Sequence, residues 1–207
     1  MQTQQITNII AELYTDAKYD KLRMIKGMAQ SVFRPIQPKD FEDAYLPISN
    51  KQGIELVQLI KKNNLKNIVE FGTSFGISTL FLAQGVLETN GHVITTELLK
   101  SKVEIAKGNF RKAGVENLID VRIGDALETL KNHSKAIDLL LLDGWMNLYQ
   151  PLFEMLESNF HKNTIIYVDN ADMSDSQEFL ASISREKYSI EFQNNGRESI
   201  VKLKNIE

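Results

Sequence analysis

Five acidic residues flank short apolar runs: Glu70 ahead of Phe71-Gly72, Glu97 after Thr96, Asp125 after Gly124, Asp143 after Leu142 and Asp169 after Val168. Any one of them alone reads equally well as a strand-end acid that caps the next helix. Five at the same end of successive runs are harder to explain that way. If the runs are parallel strands, all five acids lie along the carboxyl edge, where open α/β sheets bind ligands. Asp143, Asp169 and the adjoining Asn170 offer hard oxygen donors from two strand ends. Such a set suits magnesium, which prefers octahedral oxygen coordination and keeps several waters. The plainer reading is that Asp169-Asn170 only turns the chain after a buried strand. His92, His133 and His161 precede strands instead and fall at the opposite edge, which argues against a histidine base or a histidine-rich metal site. With no Cys in the chain, thiolate zinc sites, iron–sulfur clusters and cysteine nucleophiles are excluded. Any metal should be a hard ion held by oxygen.

A glycine-rich turn, Glu70-Phe71-Gly72-Thr73-Ser74-Phe75-Gly76, carries the chain from a strand into a helix. Glycine accepts positive φ and lets a ligand approach the backbone closely. The G-x-x-x-G spacing is neither the dinucleotide G-x-G-x-x-G nor a P-loop. By itself it is an ordinary tight βα turn. Glu97, at the end of the next strand, favours a ligand site, because an acid there holds a ribose diol.

These side chains depend on a regular frame. β-like runs are predicted at Asn67–Phe71, His92–Thr96, Ile119–Ile123, Ile137–Leu142 and Thr164–Val168, with helical stretches starting near Gly76, Leu99, Asp125, Met146 and Ser174. Apolar strands alternating with helices indicate a parallel sheet covered on both faces. Two further runs, Tyr188–Gln193 and Ser199–Leu203, flank Asn194-Asn195-Gly196-Arg197, a turn signal for an antiparallel hairpin. Upstream, Ile6, Ile9, Ile10, Leu13, Ala17, Leu22, Ile25 and Met28 follow helical spacing. Pro35, Pro38 and Pro47 then mark a loop, and Ser49 is placed to cap a helix running to about Lys62. The expected architecture is α/β: a Rossmann-like doubly wound, mostly parallel seven-stranded sheet with an antiparallel C-terminal hairpin and N-terminal accessory helices. It forms one domain, with residues 1–48 as a helical lid or accessory segment and 49–207 as the ligand-binding core.

Composition agrees. A chain of 207 residues with 43% apolar and 25% charged residues can bury one core and is neither disordered nor a disulfide scaffold. The net charge of −3 supplies no basic field for nucleic acid, and the Asn/Asp-Pro-Pro-aromatic signature of amino-group methylation is absent. Met1–Thr7 is polar, and the densest apolar run, Ile137–Leu142, contains Asp138. Neither a signal peptide nor a membrane span is expected, so a soluble, cytoplasmic chain is.

The segment Val69–Leu80 resembles motif I of class I S-adenosylmethionine-dependent methyltransferases. It is most similar to the cation-dependent O-methyltransferases related to catechol and caffeoyl-CoA O-methyltransferase. The resemblance covers most of the chain, through Ser49, Gly53, Gly91–Glu97, Ala113-Gly114-Val115, Gly124-Asp125-Ala126, Ile137–Asp143, Tyr149 and Asp169-Asn170. It implies that Glu70, Gly72, Ser74 and Ser78 surround the methionine portion of S-adenosylmethionine, and that Glu97 accepts hydrogen bonds from the ribose. By the same resemblance Asp125-Ala126 borders the adenine, and Trp145 packs on it or closes the cleft; as the only Trp, it is equally at home in a core. Asp143, Asp169 and Asn170 would hold Mg2+ or another divalent cation against vicinal oxygens of a small hydroxylated acceptor, with Asp143 also beside the cofactor and counted as catalytic.

One departure bears on mechanism. The family's proposed general base, a Lys three residues after the first metal Asp, is Met146 here, and a thioether takes no proton at neutral pH. Three readings follow: the cation alone activates the hydroxyl, Tyr149 or an N-terminal Lys substitutes, or the reaction is not methylation of a catechol-like hydroxyl. A non-catalytic S-adenosylmethionine-binding protein is the other reading, while a nucleotide-binding oxidoreductase is disfavoured by G-x-x-x-G. Met24, Met28, Phe33, Arg34, Phe41 and Tyr45 are candidates for a lid over the acceptor, and equally for an accessory helix or dimer contact. The resembling enzymes are often homodimers, which leaves a homodimer open.

Overall fold

The computed structural model describes residues 2–30 and 34–204; Phe33 of the expected lid lies outside them. The strands are β1 (Asn67–Phe71), β2 (His92–Glu97), β3 (Ile119–Ile123), β4 (Ile137–Leu142), β5 (Phe160–Val168), β6 (Tyr188–Gln193) and β7 (Glu198–Leu203). They make one sheet in the order β3-β2-β1-β4-β5-β7-β6. Strands β1 to β5 pair in parallel, and β7 runs antiparallel to both β5 and β6. This is the expected Rossmann-like sheet. The strand order reverses between β1 and β4, and open α/β sheets bind ligands in the crevice at the carboxyl edge of such a switch point. Strand β5 begins at Phe160 rather than Thr164, because Phe160 pairs with Ile137 across a register shift ahead of the regular ladder.

The helices are α1 (Gln2–Ala17), α2 (Asp20–Gln30), α3 (Asn50–Asn63), α4 (Ile77–Thr89), α5 (Lys100–Lys112), α6 (Ala126–Thr129), α7 (Tyr149–Leu156) and α8 (Ser174–Ser182). Side chains alternate across a strand, so β1, β4 and β5 each feed two layers. Ile68, Leu139, Leu141 and Ile165 pack with α1, α3, α4 and α5. Val69, Leu140, Leu142, Ile166 and Val168 pack with α7 and α8. Helix α4 lies inside the first layer and is buried almost all round, from Ile77 to Val86.

Two expectations change. The helical rhythm over residues 5–30 divides after Ala17. Helix α1 buries Ile6, Ile9, Ile10 and Leu13, whereas Leu22 and Ile25 of α2 are 68% and 64% exposed. The inward face of α2 is instead set by Gly27, which packs against the carbonyl of Asp40 so closely that a Cβ would collide with it. The stretch near Asp125 forms only the single turn α6. The hairpin follows the Asn-Gly signal, with Asn194, Asn195 and Gly196 all at positive φ. No helix among the described residues is long and apolar enough to cross a membrane.

The layered core makes a direct prediction. Leu141 is fully buried in the middle of the sheet, while Ile105 on α5 is 48% exposed. Leu141→Ala should cost about 2–5 kcal/mol in denaturant unfolding, and Ile105→Ala about 0.5 kcal/mol or less.

Candidate active site

Parallel register brings the two key acids side by side. Phe71 pairs with Leu142, and Leu142 with Val168. The ladder continues one residue further: the Asp143 N–H donates to the Phe71 carbonyl at 3.0 Å, and the Asp169 N–H to the Leu142 carbonyl at 2.9 Å. Asp169 is 9% exposed. Its Oδ1 accepts from Gln52 Nε2 at 2.5 Å and its Oδ2 from Asn170 Nδ2 at 2.7 Å. Burial, then the charge of Asp169 and more distantly of Glu70, hold the Asp143 carboxyl well above the usual carboxylate range. Neighbouring carboxylates resist joint ionisation unless a cation joins them. Among the described residues no group of three or more His, Asp or Glu side chains is gathered for a metal. A divalent ion would thus rest on Asp143, Asp169 and the amide oxygen of Asn170, which turns at φ 53°. That donor set fits a hard ion that keeps water.

Gln52 escaped the sequence reading. It closes a capping box with Ser49 at the start of α3, and the same amide reaches Asp169. The Ser-x-x-Gln spacing signals the cap but not the second contact, which spans the fold.

The turn after β1 forms the other half of the crevice. Gly72, Ser74 and Gly76 have φ of 110°, 47° and 92°. Gly72 lies against the Asp143 carbonyl, which a Cβ would approach to 2.4 Å. Glu97 fixes this turn: Oε2 accepts from the Ser74 N–H and Oε1 from the Leu99 N–H, both at 2.9 Å. Each oxygen retains a lone pair for a diol, and Leu98 stands exposed beside it. Glu70 is placed differently from its fellow acids. It is fully buried, accepting from Thr79 Oγ1 at 2.5 Å and Thr95 Oγ1 at 2.6 Å. Burial raises its pKa, partly offset by these hydroxyls and that of Ser78. Glu70 and Ser78 thus lie within the turn and brace it, with Ser78 also buried. Asp125 caps α6 through the Leu127 N–H at 2.9 Å, which is the structural role it shares with many strand-end acids; Ala126 beside it is buried.

Tyr149 is fully buried, edge-on to Phe71 and Phe179. Its hydroxyl points at the carbonyls of Gly144 and Asp169 at 3.4 and 3.5 Å. Burial and the charges of Asp143 and Asp169 push its pKa well up, so it stays protonated at neutral pH. That placement makes it a support for the two acid-bearing turns. Met146 is partly buried against the apolar layer of α7 and α8.

The N-terminal segment crosses this edge. Phe41 meets Trp145 with ring centroids 6.3 Å apart, and Tyr45 meets Phe75 at 4.4 Å. The Ser74 hydroxyl donates to the Tyr45 carbonyl at 2.8 Å. Arg34 clamps Asp40 with both terminal nitrogens, and Met24 is partly buried. Lys102, which the sequence reading passed over, is 4% exposed. Its ammonium donates to the Ala44 carbonyl at 2.8 Å and to Ser74 Oγ at 3.1 Å. Burial lowers its pKa, opposed by Glu97, Asp20, Glu42 and Asp43. The histidines lie away from the site, as expected: His161 bonds Asp138 at 2.9 Å near the start of β5.

Comparison with known proteins agrees with this geometry. A family model described as O-methyltransferase matches residues 34–179. Catechol O-methyltransferases of Mycobacterium tuberculosis and Niastella koreensis are each 29% identical, over 126 and 129 residues. The matches cover 60% of this chain and 57% and 58% of theirs, so the chain spans a little over half the length of these relatives. An O-methyltransferase from Bacillus cereus in complex with SAH superposes with a TM-score of 0.69 at 22% identity, covering 87% of this chain and 97% of that one. An SAH-bound methyltransferase from Podospora anserina gives 0.72 at 17%, covering 88% of each. At these identities the two structures speak for the shared fold. The family match extends over most of the chain and takes in the turn after β1, Glu97, Asp143 and Asp169: the chain belongs to the O-methyltransferase family.

Proposed function

We propose that this protein is an S-adenosylmethionine-dependent O-methyltransferase that methylates a hydroxyl of a small, catechol-like acceptor with the help of a divalent cation. The observation that carries the proposal is the Asp143–Asp169 pair at the point where strand order reverses, next to the turn pinned by Glu97. When bound, the cofactor supplies an electrophilic sulfonium methyl and the cation lowers the pKa of a coordinated hydroxyl.

The chain's own residues do the positioning. Glu97 accepts from the ribose while holding Ser74 and Leu99. Asp143, Asp169 and Asn170 hold the cation, with Gln52 and Tyr149 fixing the orientation of Asp169 and its turn. Orientation of this kind can supply much of a rate enhancement. With Met146 unable to accept a proton and Tyr149 protonated, neither serves as the base, and a cation held by Asp143, Asp169 and Asn170 would supply the activation of the hydroxyl. Met146 also favours the second reading, a protein that binds the cofactor without turnover.

Methyl transfer from labelled S-adenosylmethionine to a panel of vicinal aromatic diols separates the two. Turnover should vanish with chelator and return with magnesium, and Asp169→Asn should lower kcat/KM about 100-fold or more. Turnover indifferent to chelator rejects the cation, and cofactor binding without transfer to any acceptor favours the second reading.

The raised pKa of Asp143 gives a test without activity. Its folded value lies above its unfolded value, so its contribution to stability is full at low pH and is lost as pH rises through the folded value. A cation held by the ionised carboxylates would compete with that proton. The rise in Tm on adding magnesium should therefore grow with pH, and Asp169→Asn should abolish that growth.

A further inference from the structure

Residues 34–48 touch both walls of the crevice. Phe41 reaches Trp145 after β4, while Tyr45 reaches Phe75 and Ser74 after β1. The segment therefore lies over the gap in which the proposed cofactor would sit. It is tied down by polar bonds to α1, α2 and α5, two through its backbone and one through the Glu42 side chain. The Leu46 N–H donates to Asp20 at 2.8 Å, Tyr14 donates to the Ile48 carbonyl at 2.8 Å, and Ser101 donates to Glu42 at 2.5 Å.

Lys102 differs from the other ties. Its ammonium bonds at once to the segment, at the Ala44 carbonyl, and to the cofactor turn, at Ser74 Oγ. Ser74 passes the link on, donating its hydroxyl proton to Tyr45 and its N–H to Glu97. The ammonium also lies 5.2 Å from the centroid of the Phe75 ring. One buried charge thus joins the covering segment, the strained turn at Ser74 and the ribose acid. A buried lysine is costly unless its donors are used, and its two bonds here tie the segment to the turn.

We propose that Lys102 is a positioning residue of the cofactor site: its ammonium latches residues 34–48 onto the Ser74 turn, and the cofactor enters and leaves when that latch opens. The inference rests on the function proposed above. It goes beyond it by assigning the rate of cofactor exchange to a residue that does not touch the acceptor.

Stopped-flow binding of S-adenosylhomocysteine to the full chain and to Lys102→Met tests it. Releasing the latch should speed dissociation about tenfold or more, the loss expected for a charge-assisted bond, and association should rise with it. A merely damaged pocket would instead slow association while dissociation quickens, and that result overturns the proposal, as does dissociation within about twofold of wild type. Should Lys102→Met not fold, hydrogen exchange on the unaltered chain decides. The ligand should slow exchange of amides in 34–48, the Leu46 amide among them, and unchanged exchange there refutes the latch. Failure of the unaltered chain to bind S-adenosylhomocysteine would contradict the proposed function itself, a result distinct from altered kinetics in the variant.

Discussion

The site depends on the alignment of three parallel strands at their carboxyl ends. Because Phe71, Leu142 and Val168 share one register, the next residues, Gly72, Asp143 and Asp169, emerge together. Two acids are forced beside each other at the edge of a dry sheet, where water cannot fully screen them. The surrounding structure manages that tension. Gln52 and Asn170 donate to Asp169, Gly72 leaves room for the Asp143 backbone, and Tyr149 fills the space beneath both turns. What remains is a raised pKa at Asp143, because two crowded carboxyls resist joint ionisation.

The neighbouring half of the crevice is built from backbone shape rather than charge density. Positive φ at Gly72, Ser74 and Gly76 turns the chain sharply into α4. Glu97 binds the turn from the adjacent strand, and Glu70 braces it from inside through Thr79 and Thr95. Two glutamates therefore do different work in the turn: Glu97 holds backbone N–H groups at Ser74 and Leu99, and Glu70 holds the hydroxyls of Thr79 and Thr95.

The sheet was legible because its strands are dense apolar runs, long enough to be told from helices by the alternation of elements. The acids at strand ends followed from the same runs, with no knowledge of side-chain contacts. Other features were hidden for identifiable reasons. The period of Leu22, Ile25 and Met28 reads as a core face, yet α2 turns inward on Gly27, a residue with no hydrophobic signal. Gln52 and Lys102 act through partners far away in the chain, Asp169 for one and Ala44 for the other, and no local spacing announces such pairs. Tyr149 showed its position but not its burial.

The central claim is that the Glu97 turn and the adjoining crevice form a cofactor site. Isothermal titration of the unaltered chain with S-adenosylhomocysteine tests it most directly. The account predicts saturable binding at one site per chain, weakened at least about tenfold by Glu97→Ala through the loss of hydrogen bonds to a charged acceptor. Absence of binding, or binding that Glu97→Ala leaves unchanged, would contradict it.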